Sequence, residues 1–209
     1  MGLTTLEMIG IAEEFRFWKG FVRTPRFING WVKGPNAELD AGVAQFILGH
    51  PHQKVLDVGS GAVSILHNLI PDECICAVDP LAGLYAEVFD YSAYGLRPPR
   101  ICTGEELEDR EEFAIAHIRN ALDHTQQPDK VMTNLLRAVK GGGYVIAQGF
   151  DKEAQHENRR GFHQWDIELR DGHLYANDID LGLANVWSRA HALPNGRIWH
   201  VWITRKEPA

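Results

Sequence analysis

Two groups of residues in this chain have the types and spacing to do chemistry. Asp57, Gly59 and Gly61 follow directly on the apolar run that begins at Val55, and Asp79 stands 22 residues after Asp57. An apolar strand entering two near-adjacent glycines makes a bend that visits φ > 0 and admits a ligand close to the backbone. An acidic residue at the end of the next strand can accept both hydroxyls of a ribose. The second group suits proton transfer. His124 and His163 stand out among ten histidines because each follows a predicted strand, and an imidazole titrates in the range a general base needs. Asp123 precedes the first of them, where it either holds a histidine tautomer or simply opens a helix. His163 lies in the segment Gly161-Phe162-His163-Gln164-Trp165-Asp166. There Gln164, Trp165 and Asp166 make a dense polar and aromatic cluster around the histidine.

These residues need a scaffold, and the pattern of the chain describes one. Residues 1–50 are aromatic and helical in spacing, with Phe15, Trp18, Phe21, Phe27 and Trp31, a break at Gly34-Pro35-Asn36, and a further helix from Ala37 to Leu48. They read as an N-terminal helical cap. Residues 51–150 alternate strand and helix. Strands are predicted at 55–58, 74–78, 100–103, 113–118 and 144–147, and helices at 62–70, 81–89, 105–112 and from Pro128 to a stop at Lys140-Gly141. That alternation predicts a parallel sheet covered on both faces. Residues 151–209 break the rhythm. Asp171-Gly172 is a two-residue hairpin turn, and Pro194-Asn195-Gly196 joins two last antiparallel strands. The expectation is a single domain of α/β class, a Rossmann-like three-layer sandwich. Its sheet is mainly parallel and seven-stranded and closes in an antiparallel C-terminal hairpin.

A dinucleotide site would want G-x-G-x-x-G, and its third glycine position is Ser64 here. The segment Asp57-Val58-Gly59-Ser60-Gly61 instead resembles the D-x-G-x-G signature of class I S-adenosylmethionine-dependent methyltransferases, of the type 11-like kind. The resemblance continues in order through residues 50–150. Asn120-Ala121-Leu122-Asp123-His124 is similar to a stretch written L-x-H, and Leu136 to Gly143 to an L-R-V-L-K-P-G-G approach with Gly141 replacing the proline. It implies S-adenosylmethionine as cofactor. Its amino acid part would lie on Asp57, Gly59, Ser60 and Gly61, and its ribose on Asp79 with Pro80 and Leu81. Its adenine amine would meet Gly104, Glu105 and Glu106, with Asn120 completing the site. Gly161 to Asp166 resembles a G-L-H-Q-W-N segment of methyltransferases found near sugar and polysaccharide genes, with Phe162 and Asp166 as departures, and this implies a carbohydrate-like acceptor on which Trp165 would stack and to which Gln164 and Asp166 would hydrogen-bond.

The expected function is therefore methyl transfer to a small-molecule or sugar-type acceptor, at oxygen, with His124 or His163 as base. Two rivals are a nicotinamide-dependent oxidoreductase and a non-catalytic S-adenosylmethionine-binding protein. A metal could be held by Asp123, His124, Asp151, His156 and His163, but no spacing demands one and none is expected. The formal charge of −7 argues against a general grip on nucleic acid. No apolar run reaches the ~20 residues of a membrane span, and no signal peptide is read, so a cytoplasmic location is expected. Cys74, Cys76 and Cys102 read as small core residues without a disulfide framework. The aromatics of the cap and of the final hairpin leave a homodimer open.

Overall fold

A computed structural model describes residues 5–34 and 38–208. The cap begins with α1 (Thr5–Phe21), followed by the short α2 (Pro25–Phe27), a π-helical turn (Ile28–Val32) and α3 (Ala41–Leu48). Local chemistry sets these starts. The Thr24 hydroxyl accepts from the Phe27 amide, and the Asp40 carboxylate accepts from the amides of Gly42 and Val43. The predicted helix over 37–48 is thus shortened at its start by the Asp40 cap. Pro35, Asn36 and Ala37 lie outside the described residues.

The strands are β1 (Val55–Val58), β2 (Ile75–Val78), β3 (Phe113–Arg119), β4 (Val139–Phe150), β5 (Ile167–Arg170), β6 (His173–Ala176), β7 (Ile179–Ala184), β8 (Trp187–Ala192) and β9 (Ile198–Arg205). Six form one sheet in the order β2-β1-β3-β4-β9-β8, and β5-β6-β7 form a second, antiparallel one. β2, β1, β3 and β4 run parallel, while β9 and β8 run antiparallel. The Rossmann-like α/β class and the closing hairpin are as expected. Three further α-helices stand among the described residues: α4 (Ala82–Tyr85), α5 (Pro128–Ala138) and α6 (Glu153–His156).

Alternation along the strands divides the core. Val55, Ile115, Ile146 and Val201 face the cap, where Trp18, Phe27 and Trp31 are buried. Leu56, Val58, Ile118, Val145 and Trp202 face the other way, onto Val131, Met132 and Leu135 of α5. The small sheet joins this second cluster through Ile167, Leu174 and Leu181. No helix among the described residues is long and apolar enough to cross a membrane.

Four expectations are corrected. The main sheet has six strands where seven were predicted, because the segment 100–103 makes a single bridge, Val78 to Arg100. Pro98-Pro99 supply no ladder donors before it, and the Thr103 side chain then caps a 3-10 turn, Gly104–Glu106. That turn also stands where a helix over 105–112 was predicted. The predicted helix over 62–70 is a run of turns, since the Ser64 hydroxyl donates to Asp57 and accepts from the Leu66 amide, and Asn68 adopts φ 63°. Lys140-Gly141 do not end a helix in a loop, because α5 passes directly into β4 at Val139.

Candidate functional site

The carboxyl ends of β1, β2 and β3 open into one cavity of about 1130 Å³, roofed by α1 and walled by the segment after α6. This is where a parallel sheet exposes its strand ends to ligands. Of the residues expected to hold a cofactor, Asp57, Gly59, Ser60, Gly61, Asp79, Pro80, Leu81, Gly104, Glu105, Glu106 and Asn120 all line it. His124, His163 and Gln164 line its other end.

The glycine bend has the expected form, with φ 65° at Gly59 and 67° at Gly61. Its neighbours are protein, however. A Cβ on Gly59 would stand 2.4 Å from the Ala121 Cβ, and one on Gly61 would stand 2.1 Å from Cζ2 of Trp18. The missing side chains therefore admit Ala121 and the cap indole to the bend. Asp79 is buried; its Oδ2 accepts from the Gly61 amide at 2.9 Å and its Oδ1 from the Leu81 amide at 2.8 Å. Burial pushes its carboxyl up to about 6, against the pull of those two amides and the Tyr85 hydroxyl.

Several expected contacts carry structural tasks as well. Asp57 lies at the core of a buried chain, accepting from Ser64 Oγ at 2.5 Å and paired with His117 Nδ1 at 2.7 Å. His117 Nε2 in turn meets the Gln148 amide nitrogen at 2.7 Å. Oε1 of Glu105 accepts from the amides of Gln126 and Gln127, and Glu106 forms a capping box with Thr103. Gln126 and Gln127 themselves line the cavity. Trp165 and Asp166 do not line it. The Trp165 indole donates to the Thr125 carbonyl, and the buried Asp166 carboxylate accepts from the Gln155 amide and from Arg159. Both fix the fold of the loop that carries His163 and Gln164. Asp151 and His156 stand outside the histidine cluster.

The histidine end is more ordered than the sequence indicated. Nδ1 of His163 lies 2.7 Å from Oδ2 of Asp123 and 3.1 Å from Nε2 of His124. The two imidazoles meet edge to face, with ring centroids 4.5 Å apart. A backbone bond from the Gln164 amide to the Asp123 carbonyl, 3.0 Å, ties the two loops together. Burial alone would raise the Asp123 carboxyl, but His124 and His163 hold it below the usual range. Burial opposes the charged form of His163, yet Asp123 outweighs it and holds the imidazole above its ordinary value.

Among the lining residues that sequence reasoning missed are Tyr85, Arg119 and Glu153. Tyr85 and Glu153 are brought in by packing between distant segments, whereas Arg119 ends β3 directly before Asn120. Arg119 stacks over Trp199 at 4.9 Å, and its Nε has no hydrogen-bond partner among the described residues. An unsatisfied guanidinium nitrogen at a cavity wall suits an anionic ligand group.

Residues 34–181 match a family described as a methyltransferase domain. No curated protein matches the chain. Among solved structures, the chain is similar to the N-methyltransferase NodS of Bradyrhizobium japonicum in complex with S-adenosyl-L-homocysteine. The TM-score is 0.62 at 10% identity, over 92% of this chain and 98% of that one. It is also similar to the 1,6-didemethyltoxoflavin-N1-methyltransferase of Burkholderia thailandensis with bound 1,6-didemethyltoxoflavin and S-adenosylhomocysteine (TM-score 0.56, 17% identity, 99% of this chain and 92% of that one). A cyclase, SpnF, shares the fold at TM-score 0.60 and 12% identity, over 100% of this chain and 98% of that one. At such identities the likeness establishes the fold alone.

Proposed function

The chain belongs to the methyltransferase domain family and is an enzyme of methyl transfer, and on that premise we propose that it moves the methyl group of S-adenosylmethionine to an oxygen of a small, hydroxyl-bearing acceptor. The observation that carries this reading is the single cavity that runs from Asp79 and the glycine bend at one end to His163 and Asp123-paired chemistry at the other. The methionine moiety lies along Gly59, Ser60 and Gly61, with its carboxylate toward Arg119. The ribose hydroxyls donate to Asp79. The adenine lies by Gly104 and the backbone of Glu105 and Gln126.

In the transfer step an acceptor oxygen attacks the methyl carbon in line with the carbon–sulfur bond. That bond breaks, its electron pair returns to sulfur, and S-adenosylhomocysteine leaves. The protein's part is to place the oxygen and remove its proton. His163 is suited to the second task. Its Nδ1–H donated to Asp123 fixes the tautomer and leaves Nε2 as the proton acceptor. His124 packs against that ring and Gln164 offers its amide to the acceptor. A polar cavity wall with Glu153, Glu157 and Gln164 fits an acceptor rich in hydroxyls, a sugar-type molecule among them.

Isothermal titration with S-adenosylmethionine, its demethylated product and NADH tests the cofactor. Binding of the first two, lost in Asp79→Ala, is the expected result; binding of NADH alone would overturn the reading. With an acceptor found by screening hydroxylated small molecules, His163→Ala should lower kcat by roughly 10²–10⁴ and leave cofactor affinity unchanged. Unchanged turnover would leave the chain without this base, and no turnover on any acceptor would favour the non-catalytic rival.

A further inference from the structure

We propose that Asp123, His124 and His163 form a binding site for a divalent transition-metal ion at the acceptor end of the cavity. The spacing in sequence does not suggest one, since 39 residues separate the two histidines. The fold nevertheless brings Oδ2 of Asp123, Nε2 of His124 and Nδ1 of His163 onto a common point.

The geometry has the dimensions of one face of a coordination shell. The three ligand atoms are 2.7, 3.1 and 3.5 Å apart. A triangle with those sides lies on a circle of radius about 1.8 Å. An ion about 1 Å above its plane therefore stands about 2.1 Å from all three atoms, the ordinary length of bonds from zinc-like ions to imidazole and carboxylate. Two imidazoles and one carboxylate select such ions over magnesium or calcium, which prefer all-oxygen shells. The remaining coordination positions face the cavity, because His124 and His163 line it while Asp123 is buried behind them.

Hydrogen bonding among the three groups is also incomplete without a cation. The proton on His163 Nδ1 satisfies Asp123. His124 Nε2 then meets that same N–H at 3.1 Å, either as a second acceptor for one hydrogen or as a donor facing a donor. A cation in place of the proton satisfies all three lone pairs together. The second-row support is in place too. The Asp123 carbonyl is held by the Gln164 amide, which keeps the two ligand-bearing loops in register.

This inference deepens the reading of the cluster as the acceptor-activating end and rests on that reading only for its consequence. With the ion bound, an acceptor hydroxyl coordinated at an open position is acidified by the cation, whereas in the metal-free protein Nε2 of His163 takes the proton. Binding itself rests on geometry alone.

Zinc titration of the full chain by calorimetry, with cobalt(II) absorption as an optical readout, tests it. One ion per chain at micromolar affinity or tighter is expected, together with a cobalt ligand-field band in the visible. His163→Gln and His124→Gln, each checked for folding by circular dichroism, should each weaken binding at least about tenfold and alter the band. Absence of binding at 100 µM zinc, a figure of roughly hundredfold excess over a micromolar site, would overturn the proposal. So would binding that neither variant changes, which would place the ion elsewhere on the chain. S-adenosylmethionine titrated into the same samples keeps the two readings apart. Loss of zinc binding with intact cofactor binding overturns only the metal site, and the reverse outcome overturns only the cofactor.

Discussion

The indole of Trp18 rests on Gly61: a Cβ there would stand 2.1 Å from Cζ2 and 2.3 Å from Cη2 of that ring. The cap and the glycine bend are thus one packing unit, and the position of α1 over the cavity depends on a missing side chain 43 residues away. Gly61→Ala meets two penalties, the left-handed φ of 67° and the collision with the indole. A cost of about 2–5 kcal/mol is expected, roughly half backbone and half overpacking. In a Trp18→Ala background the second part disappears, so a double-mutant cycle by urea unfolding should show strong non-additivity. Additive costs would mean that the two residues do not share this contact in solution.

Asp79 should make cofactor affinity acid-sensitive. Burial raises its carboxyl to about 6, above the 3.8 of a solvated aspartate. The ionised form accepts the ribose hydroxyls, so affinity is full above pH 6 and falls as pH drops through it. About tenfold weaker binding is expected at pH 5. Stability runs the other way. The raised value means the folded state holds a proton that the unfolded chain has released, so folding gains about 3 kcal/mol as pH falls from 6 to 3.8. Calorimetry between pH 5 and 8, and melts of Asp79→Asn beside the parent, measure both effects. A flat affinity profile would count against Asp79 as the ribose acceptor.

His200 opposes that gain. It is buried beside Gly149 of β4 in register, its Nδ1 has no partner among the described residues, and burial pushes it down to about 4 against the attraction of Asp123. The unfolded chain takes up a proton near 6.5 while the folded one refuses it. Stability is therefore complete above 6.5 and falls by about 3 kcal/mol as pH drops to 4. The two contributions nearly cancel in the parent, which should show little net slope from this pair between pH 4 and 6. His200→Leu should unmask the Asp79 gain as rising stability on acidification, and Asp79→Asn should unmask the His200 loss. Parallel pH profiles for all three proteins would refute the pairing.

How far these features were legible in the sequence depends on how local their causes are. The strand-to-glycine bend at Val55–Gly61, the Asp171-Gly172 hairpin and the strand ending at Val78 follow from nearest-neighbour chemistry, and the structure has them. The helix over 62–70 was misread because apolar spacing cannot reveal that Ser64 would turn its hydroxyl to Asp57. The strand over 100–103 was misread because two prolines before it and a capping threonine after it leave room for one bridge only. The proximity of Asp123, His124 and His163 is a long-range product of folding. Each residue was singled out by its place after a strand, but their convergence to within 3.5 Å carries no sequence signal. Likewise the D-x-G-x-G spacing marks Asp57 and Gly61 equally well whether a ligand or Trp18 and His117 are their partners.

Asp57 shows what that ambiguity means in energy. Its carboxylate is buried between Ser64 Oγ and His117 Nδ1, and His117 is itself fully enclosed, with its Nε2 accepting from Gln148. This chain crosses three adjacent strands, β1, β3 and β4, beneath the bend that carries Gly59 and Gly61. His117→Leu would leave Asp57 with one donor and the Gln148 amide with no acceptor. Losing a donor to a buried carboxylate together with the acceptor of a buried amide costs about 2–5 kcal/mol. Ser64→Ala removes a single neutral donor and should cost less, about 1–3 kcal/mol. Urea unfolding of the two variants measures the order directly. At a temperature where both remain folded, cofactor titration should show affinity reduced less than about tenfold, because the substituted side chains stand behind the bend and outside the cavity wall. A drop under 1 kcal/mol for His117→Leu would mean that Asp57 draws its stability from solvent or ligand and not from this chain.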